Sequence, residues 1–503
     1  MPRALLSVYD KTGIVPFARS LLALGWDLVS SGGTATALRA GGVPCTDVAE
    51  LTGMPAILGH RVVTLHPAIH GAILADRSDP SHLAELDALG IEPISLVVVN
   101  LYPFASDPSV ELIDVGGPAM VRAAAKNHAH VAVVVDPTDF PIVLAELADD
   151  GAVGAATRLR LARKAFATTA AYDAAVVSWL DRRLGEGPLP PTVQVSAELA
   201  AVLRYGENPH QAGARYRLTG RRGWWDDAVQ HGGKELSYLN VYDTEAAWQL
   251  AHRLSATAGL PAAVVVKHAN PCGAAIGTDL VTAYRRAHDA DPVSAFGGIV
   301  ALTERVGREV AEALAPVFTE VVVAPGYDDD ALAVLTARKN LRVLSAPLPS
   351  PVALDVRPID GGLLVQEADR VPVDRSAWRV AGAVVPSAAE WRDLELAWQV
   401  VAAVSSNAIV LLRDGQAVGI GAGQQNRLDS ARIAATKADG RAVGGVCASD
   451  AFFPFRDGVD AVAAAGVRAV IEPGGSVRDD EVVAAADEHG IAIVFTGERH
   501  FRH

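Results

Sequence analysis

The sequence predicts an α/β protein with a parallel-sheet domain at its N-terminal end and a second, larger α/β region after it. Three observations lead there. Short apolar runs recur at 4–8, 27–31, 94–100 and 130–136, each the length of a buried strand. Each adjoins a segment with apolar residues at helical spacing, such as 14–24, which ends at Gly25 in a C-cap position. That alternation builds a parallel sheet covered by helices on both faces, with ligands bound at the carboxyl ends of the strands. Finally, 503 residues exceed what one hydrophobic core supports, so two or more domains are expected.

Residues 155–184 read as one long helix or two, and the Gly/Pro cluster at 185–191 marks a boundary. The predicted organisation is a first domain over 1–184, a linker over 185–196 and a second domain over 197–503. Strand-like runs resume at 261–273, 297–303, 320–325, 408–423, 469–475 and 492–497. Each half of this region has a strand, a polar loop and helices, which suggests an internal duplication without a clear repeat in identities.

Composition narrows the function. The opening residues, MPRALLSVYD, lack the basic and apolar regions of a signal peptide, and no run of eighteen apolar residues predicts a membrane span. Cys45, Cys272 and Cys447 are odd in number, far apart and without CxxC spacing, which fits a reducing, cytoplasmic setting rather than a disulfide framework. A net charge of −14 repels nucleic-acid phosphate overall, so no nucleic-acid partner is expected, but it leaves room for a local basic pocket.

Several motifs fall at predicted strand ends. SSGGTA at 30–35 follows a strand and precedes a helix. Its glycines let the backbone approach a ligand, and Thr34 with the helix amides can bind a phosphate; the alternative is an ordinary tight turn capped by Thr34. Lys11 lies in the loop after the first strand, on the same sheet edge. HRVVTLHPAIH at 60–70 holds three histidines that fit no standard zinc spacing; Arg61 and Thr64 read better as donors to an anion, and His66 as a turn residue. Asn100 and Tyr102 end a strand, and Asp114 and Lys126 bracket a helix. Asp, Tyr and Lys together can move protons and stabilise an oxyanion, although Asp114 as a helix cap and Lys126 as a solvated lysine is the stronger reading of that motif alone.

Later in the chain, RYGENPHQ at 204–211 and GKELSYLN at 233–240 look like ordered binding loops, with Arg204 able to grip a phosphate or carboxylate. Lys267 and His268 end a very apolar strand as a candidate acid–base pair. The following PCG differs from the zinc-deaminase pattern PCxxC because position 275 is alanine, and no matching HxE precedes it. FFPF at 452–455 is suited to a flat heterocycle or to core packing. The basic, aromatic ending RHFRH suggests that the C-terminus reaches into a site.

Over nearly the whole chain, from SVYDKTG to RHFRH, ten motifs in order, SGGTA, TLHP, NLYPF, GGP…RAAAKNH, RYGENPHQ, GKELSY, KHANPCG, SNAIVL, GIGAGQ and SDAFFPF, resemble the bifunctional enzymes of late purine synthesis: aminoimidazole carboxamide ribotide (AICAR) formyltransferase fused to IMP cyclohydrolase. The resemblance implies a methylglyoxal-synthase-like N-terminal domain and a C-terminal transformylase built from two cytidine-deaminase-like α/β subdomains. It also implies a cytoplasmic homodimer with transformylase sites at the subunit interface, and 10-formyltetrahydrofolate as formyl donor with no catalytic metal. Some members hold a structural potassium ion, for which Asp450 would be a ligand.

By the same resemblance, Lys267 and His268 serve proton transfer and oxyanion stabilisation, and Asn407 orients the formyl group. Arg204, Tyr205, Phe452, Arg499 and His503 bind the nucleotide or cosubstrate. Lys11, Ser31, Gly32, Gly33, Thr34, Arg61 and Thr64 hold the ribotide phosphate, while Asn100, Tyr102, Asp114 and Lys126 promote ring closure.

The sequence departs from the family pattern in three places. Val63 stands where a lysine is common, Tyr9 where a serine is common, and the stretch between NLYPF and DVGG is shorter by about a helical turn or more. These departures give some support to a rival reading in which the N-terminal domain only binds nucleotide.

Overall fold

The computed structural model describes residues 1–185 and 187–503; Glu186, in the predicted linker, lies outside the described residues. The chain divides into two compact units, Met1–Ala197 with Leu218–Gly220, and Glu198–Arg217 with Arg221–His503.

The N-terminal unit is built on five parallel strands, β1 (Arg3–Leu6), β2 (Asp27–Ser30), β3 (Thr46–Asp47), β4 (Leu96–Val98) and β5 (Ala132–Val134), in the order β3-β2-β1-β4-β5. Successive strand residues point to opposite faces. Leu5, Val29, Val97 and Val133 therefore pack with Ile69, Ile73 and Met120 on one face. Ala4, Leu6, Leu28, Leu96 and Val98 pack with Ile14, Phe17, Val143 and Leu147 on the other. The strand order reverses between β1 and β4, which opens a crevice beyond their carboxyl ends. Residues 155–184 form one continuous helix, Ala155–Leu184. The two-residue β3 was not predicted because it is too short to show a periodicity.

The C-terminal unit carries a twelve-stranded mixed sheet. From one edge the strands run Arg379–Val380, Ala492–Phe495, Ala469–Glu472, Val446–Ser449, Ile409–Arg413 and Gln416–Gly421, then Asn270–Ile276, Ala262–Lys267, Gly298–Leu302, Thr319–Ala324, Arg342–Ser345 and Val229–Gly232. The pattern is symmetric about the antiparallel contact of Ala275 with Gln416. On each side a hairpin is followed outward by one antiparallel step, two parallel steps and an antiparallel edge strand. One sheet face buries a core shared by both halves, including Trp248 and Trp398 of the helices Tyr238–Ala258 and Ala388–Val401. The opposite face holds a separate core for each half.

The duplication also shows in identities once the halves are aligned by fold. S-x5-D-x-E-x-A-W-Q occurs at 237–249 and again at 387–399. In both copies the serine caps its helix in a reciprocal capping box, Ser237 with Asn240 and Ser387 with Glu390.

Candidate active sites

In the N-terminal unit the crevice at the β1/β4 switch gathers most of the predicted residues. Asn100 accepts the backbone N–H of Tyr9 and Asp10, the latter at 3.1 Å, and donates to the Asp10 carbonyl at 2.8 Å, so its amide ties the two strand-end loops together. Thr34 is spent in the same way: its hydroxyl accepts from Val8 N at 3.0 Å and donates to Val8 O at 2.9 Å. The Thr34 hydroxyl is thus not free for a ligand, and the donors left at this edge are backbone groups and Lys11. Ser31, buried and extended, begins the helix Gly32–Ala40. Gly32 sits at a φ of 51°, which favours glycine. A Cβ on Gly33 would lie 3.7 Å from Lys11 Nζ. The Lys11 ammonium donates to the carbonyls of Val8 and Tyr9, and partial burial lowers its pKa against the opposing pull of Asp10.

Beside this cradle stand Tyr102 and Asp114. Burial raises the pKa of Tyr102, and the Asp114 and Tyr9 charges add to the rise. The Tyr9 and Tyr102 rings meet edge to face at 5.4 Å. Asp114 is pushed up by burial, against hydrogen bonds from Gly117 N (2.8 Å) and from the Tyr102 backbone. Tyr172, not predicted, accepts Asp114 N–H at 2.7 Å and donates to the Leu112 carbonyl at 2.5 Å, clamping the loop that carries Asp114. Thr64 is buried next to Gly116, at the start of the helix Gly116–Lys126.

Two predicted residues lie elsewhere in this chain. Arg61 is exposed and paired with Glu111. Lys126 is exposed in the last turn of its helix, ten residues and so about 15 Å from Gly116 at the end nearest Asp114. The structure therefore does not join Lys126 to Asp114 within one chain. Val63 packs against the apolar core under the sheet. His66 accepts Ala68 N–H as the cap of the helix Pro67–Leu74, the turn role that the sequence offered for it. The shortened stretch before Asp114 carries a single 3-10 turn, Val110–Leu112.

In the C-terminal unit the second centre forms where the strands Ala262–Lys267 and Asn270–Ile276 meet the loop before Ile409. Lys267 donates to the Phe296 carbonyl at 2.9 Å, and the His268 ring is exposed. His268 and Ala269 occupy left-handed conformations (φ 55° and 57°). Asn270 Oδ1 accepts Ser405 N–H at 2.8 Å and so draws the Ser405–Asn407 segment to the Lys267–His268 turn. Arg502 completes the join: its guanidinium donates to the Ala269 carbonyl at 2.7 Å, and its own carbonyl accepts Ser406 N–H at 2.9 Å.

Asn407 is fixed from both ends of its amide. Nδ2 donates to the Gln424 carbonyl at 2.9 Å, and Oδ1 accepts from Arg427 Nη2 at 2.7 Å. A guanidinium only donates, so it sets which end of the amide is oxygen and leaves one N–H of Asn407 free to donate. Arg427 is held in turn by Asp450 and Ser449.

Arg204 lies over the Tyr205 ring at 5.4 Å. This loop is bonded to GKELSY through Arg204 N to Leu236 O and Tyr238 N to Tyr205 O. FFPF divides: Phe453 is core, while Phe452 and Phe455 are exposed. At the C-terminus, Arg499 lies over the exposed Phe501 ring and His503 meets that ring edge to face, whereas Arg502 and the buried His500 face inward.

Asp450, which the resemblance offers as a potassium ligand, is fully buried; Oδ1 accepts from Arg427 and Ala408 N–H and Oδ2 from the Ser406 hydroxyl, so its charge is met by a guanidinium. Among the described residues no three His, Cys, Asp or Glu side chains gather as a metal site, and no helix is long and apolar enough to cross a membrane. The three cysteines are unpaired thiols.

The two units thus define a two-centre α/β enzyme, with Lys11 and a glycine-containing helix start near a carboxylate and a phenol in one, and Lys267 and His268 joined to a fixed amide in the other. Family models match in the same order, the MGS-like domain over residues 13–131 and the AICARFT/IMPCHase bienzyme over residues 124–437. The bifunctional purine biosynthesis protein PurH of Cereibacter sphaeroides (strain ATCC 17025 / ATH 2.4.3) is 51% identical, covering 100% of this chain and 98% of its own. PurH of Parvibaculum lavamentivorans is 49% identical, covering 100% and 97%. A solved chain described as the crystal structure of ForH matches 36% of this chain and 98% of its own at 41% identity, with a TM-score of 0.34. This chain belongs to the AICARFT/IMPCHase bienzyme family.

Proposed function

We propose that the chain catalyses the last two steps of IMP synthesis, as a cytoplasmic homodimer using 10-formyltetrahydrofolate. The observation that carries this is the junction of the Lys267–His268 turn with the fixed amide of Asn407, through Asn270 and Arg502.

In the transformylase, the 5-amino nitrogen of AICAR attacks the formyl carbon. The Lys267 ammonium and the free N–H of Asn407 stabilise the developing oxyanion. His268 takes the proton from the attacking amine and returns it to N10 as the C–N10 bond breaks, giving formyl-AICAR and tetrahydrofolate. The exposed Arg204, Phe452, Arg499 and His503 and the half-buried Tyr205 supply cationic and aromatic surface for the nucleotide and folate.

In the cyclohydrolase, Lys11 and the backbone from Ser31 to Thr34 receive the ribotide phosphate, with Thr64 alongside, and Arg61 would join them only on release from Glu111. Asp114, made more basic by burial, accepts the proton as the carboxamide nitrogen attacks the formyl carbon. Tyr102, whose phenol is held protonated, donates to the formyl oxygen as it becomes a hydroxyl. Asp114 then returns its proton to that hydroxyl, which leaves as water, while the formamide N–H proton passes back to the Tyr102 oxygen. Lys126 would act only if a second chain brings it near.

The test follows tetrahydrofolate release from AICAR plus 10-formyltetrahydrofolate, and IMP formation from pre-made formyl-AICAR, in one sample. Both reactions should proceed, and Lys267→Ala should abolish only the first. Folate turnover without IMP would reduce the N-terminal unit to a nucleotide-binding domain.

A further inference from the structure

The two halves of the C-terminal unit clamp their hairpin turns in the same way. In the first half, Asp243 accepts His268 N–H at 3.1 Å through Oδ2 and Ala269 N–H at 2.8 Å through Oδ1. In the second, Asp393 accepts Asp414 N–H at 2.7 Å through Oδ2 and Gly415 N–H at 2.9 Å through Oδ1. The two aspartates occupy the same place in the repeated peptide at 237–249 and 387–399. All four clamped residues have positive φ: 55° and 57° in the first turn, 50° and 75° in the second.

The turns differ in what they carry. The second ends on Gly415, for which a left-handed backbone is unstrained, and it presents Asp414 to solvent. The first ends on the buried Ala269, so both of its left-handed positions bear a Cβ and are strained. Strain of that kind persists only where the surroundings hold it, and here they do. Asp243 takes both N–H groups, Arg502 donates to the Ala269 carbonyl and Asn270 Nδ2 to the His268 carbonyl at 3.0 Å. The His268 ring makes no hydrogen bond among the described residues, so its backbone alone aims it.

We propose that Asp243 is a positioning residue for formyl transfer: by clamping the two left-handed N–H groups of the turn, it aims His268 and the adjoining Lys267 at the reacting atoms. This rests on the transformylase reading above. Asp393 makes the same clamp away from the chemistry and serves as an internal control for the purely structural role.

The experiment compares Asp243→Asn with Asp393→Asn in the full chain. It reads kcat and KM for AICAR from tetrahydrofolate release, together with the thermal midpoint. Asparagine keeps the shape but replaces one accepting oxygen with a donor. Asp243→Asn should lower kcat by roughly ten- to a hundredfold with KM nearly unchanged, since a small misplacement of a reacting group costs that much. Asp393→Asn should keep kcat, with a comparable drop in midpoint. Unimpaired kcat in Asp243→Asn, or equal loss in both variants, overturns the proposal. If Asp243→Asn fails to fold, Ala269→Gly is added to remove the strain. The double variant should then fold with kcat below that of Ala269→Gly alone, and equal values overturn the proposal. A wild type that releases no tetrahydrofolate overturns the transformylase reading and this proposal with it, whereas wild-type turnover with an unimpaired Asp243→Asn overturns only the proposal.

Discussion

Arg427 Nη2 donates to Asn407 Oδ1 at 2.7 Å, while the other arm of the same guanidinium is paired with the fully buried Asp450. One side chain therefore orients the Asn407 amide and neutralises a carboxylate behind it. Arg427→Lys keeps the charge but loses the planar fork. It should lower tetrahydrofolate release by about ten- to a hundredfold through misplacement of Asn407, with the cyclohydrolase unaffected. Arg427→Met should destabilise the protein by about 3–5 kcal/mol, because Asp450 is left charged and unpaired. Denaturant unfolding of both variants separates the two effects.

Tyr172 predicts the converse selectivity. Its hydroxyl joins Asp114 N–H to the Leu112 carbonyl, and the side chain lies outside the predicted cradle. Tyr172→Phe leaves two polar groups without this partner, at a cost of about 1–3 kcal/mol. IMP formation from formyl-AICAR should fall severalfold while tetrahydrofolate release stays at the wild-type rate. Equal loss of both activities would mean that Tyr172 acts on the fold as a whole.

What the sequence showed, and what it hid, follows from range. Residues placed on a strand end by local pattern, such as Lys11, Tyr102 and Lys267, were legible because apolar runs mark the strands and loops follow them. Partners such as Tyr172 and Arg502 were not, because they join the site only through contacts 58 and 233 residues away in sequence. In the ending RHFRH the cationic, aromatic character was visible, but not that Arg502 and His500 turn inward while Arg499 and His503 stay exposed. Periodicity cannot order five residues of irregular chain. The repeat containing Asp243 and Asp393 was readable in principle as S-x5-D-x-E-x-A-W-Q, but it emerges only when the two helices are aligned by fold.

Glu472 gives a pH-dependent prediction for stability. It is fully buried; Oε2 accepts Phe453 N–H at 2.6 Å and Oε1 has no partner. Burial is the main cause that raises its pKa from 4.5 to about 8, with Asp479 adding to the rise and Arg427 and the Phe453 N–H opposing it. The native state therefore binds a proton that the unfolded state releases between these values. The resulting stability is fully present below the unfolded pKa and is lost as pH rises through the folded one. The thermal midpoint should fall from pH 5 to pH 9 in the wild type. Glu472→Gln, neutral throughout, should flatten that part of the profile and be the more stable protein at pH 9. An unchanged slope in the variant would mean that other groups carry the dependence.

Gly117 is the sharpest single test of where Asp114 must sit. Replacing glycine by alanine inside a helix ordinarily stabilises it by about 1 kcal/mol. Here a Cβ on Gly117 would stand 2.3 Å from Asp114 Oδ2 and 3.0 Å from Oδ1. The carboxylate must swing away, giving up the 2.8 Å bond from Gly117 N and its place beside Tyr102. Gly117→Ala should therefore cut IMP formation by at least tenfold, as expected when a general base is moved from its proton. Tetrahydrofolate release should not change, because that centre lies in the other unit. Wild-type IMP formation in Gly117→Ala would show that Asp114 is not the base.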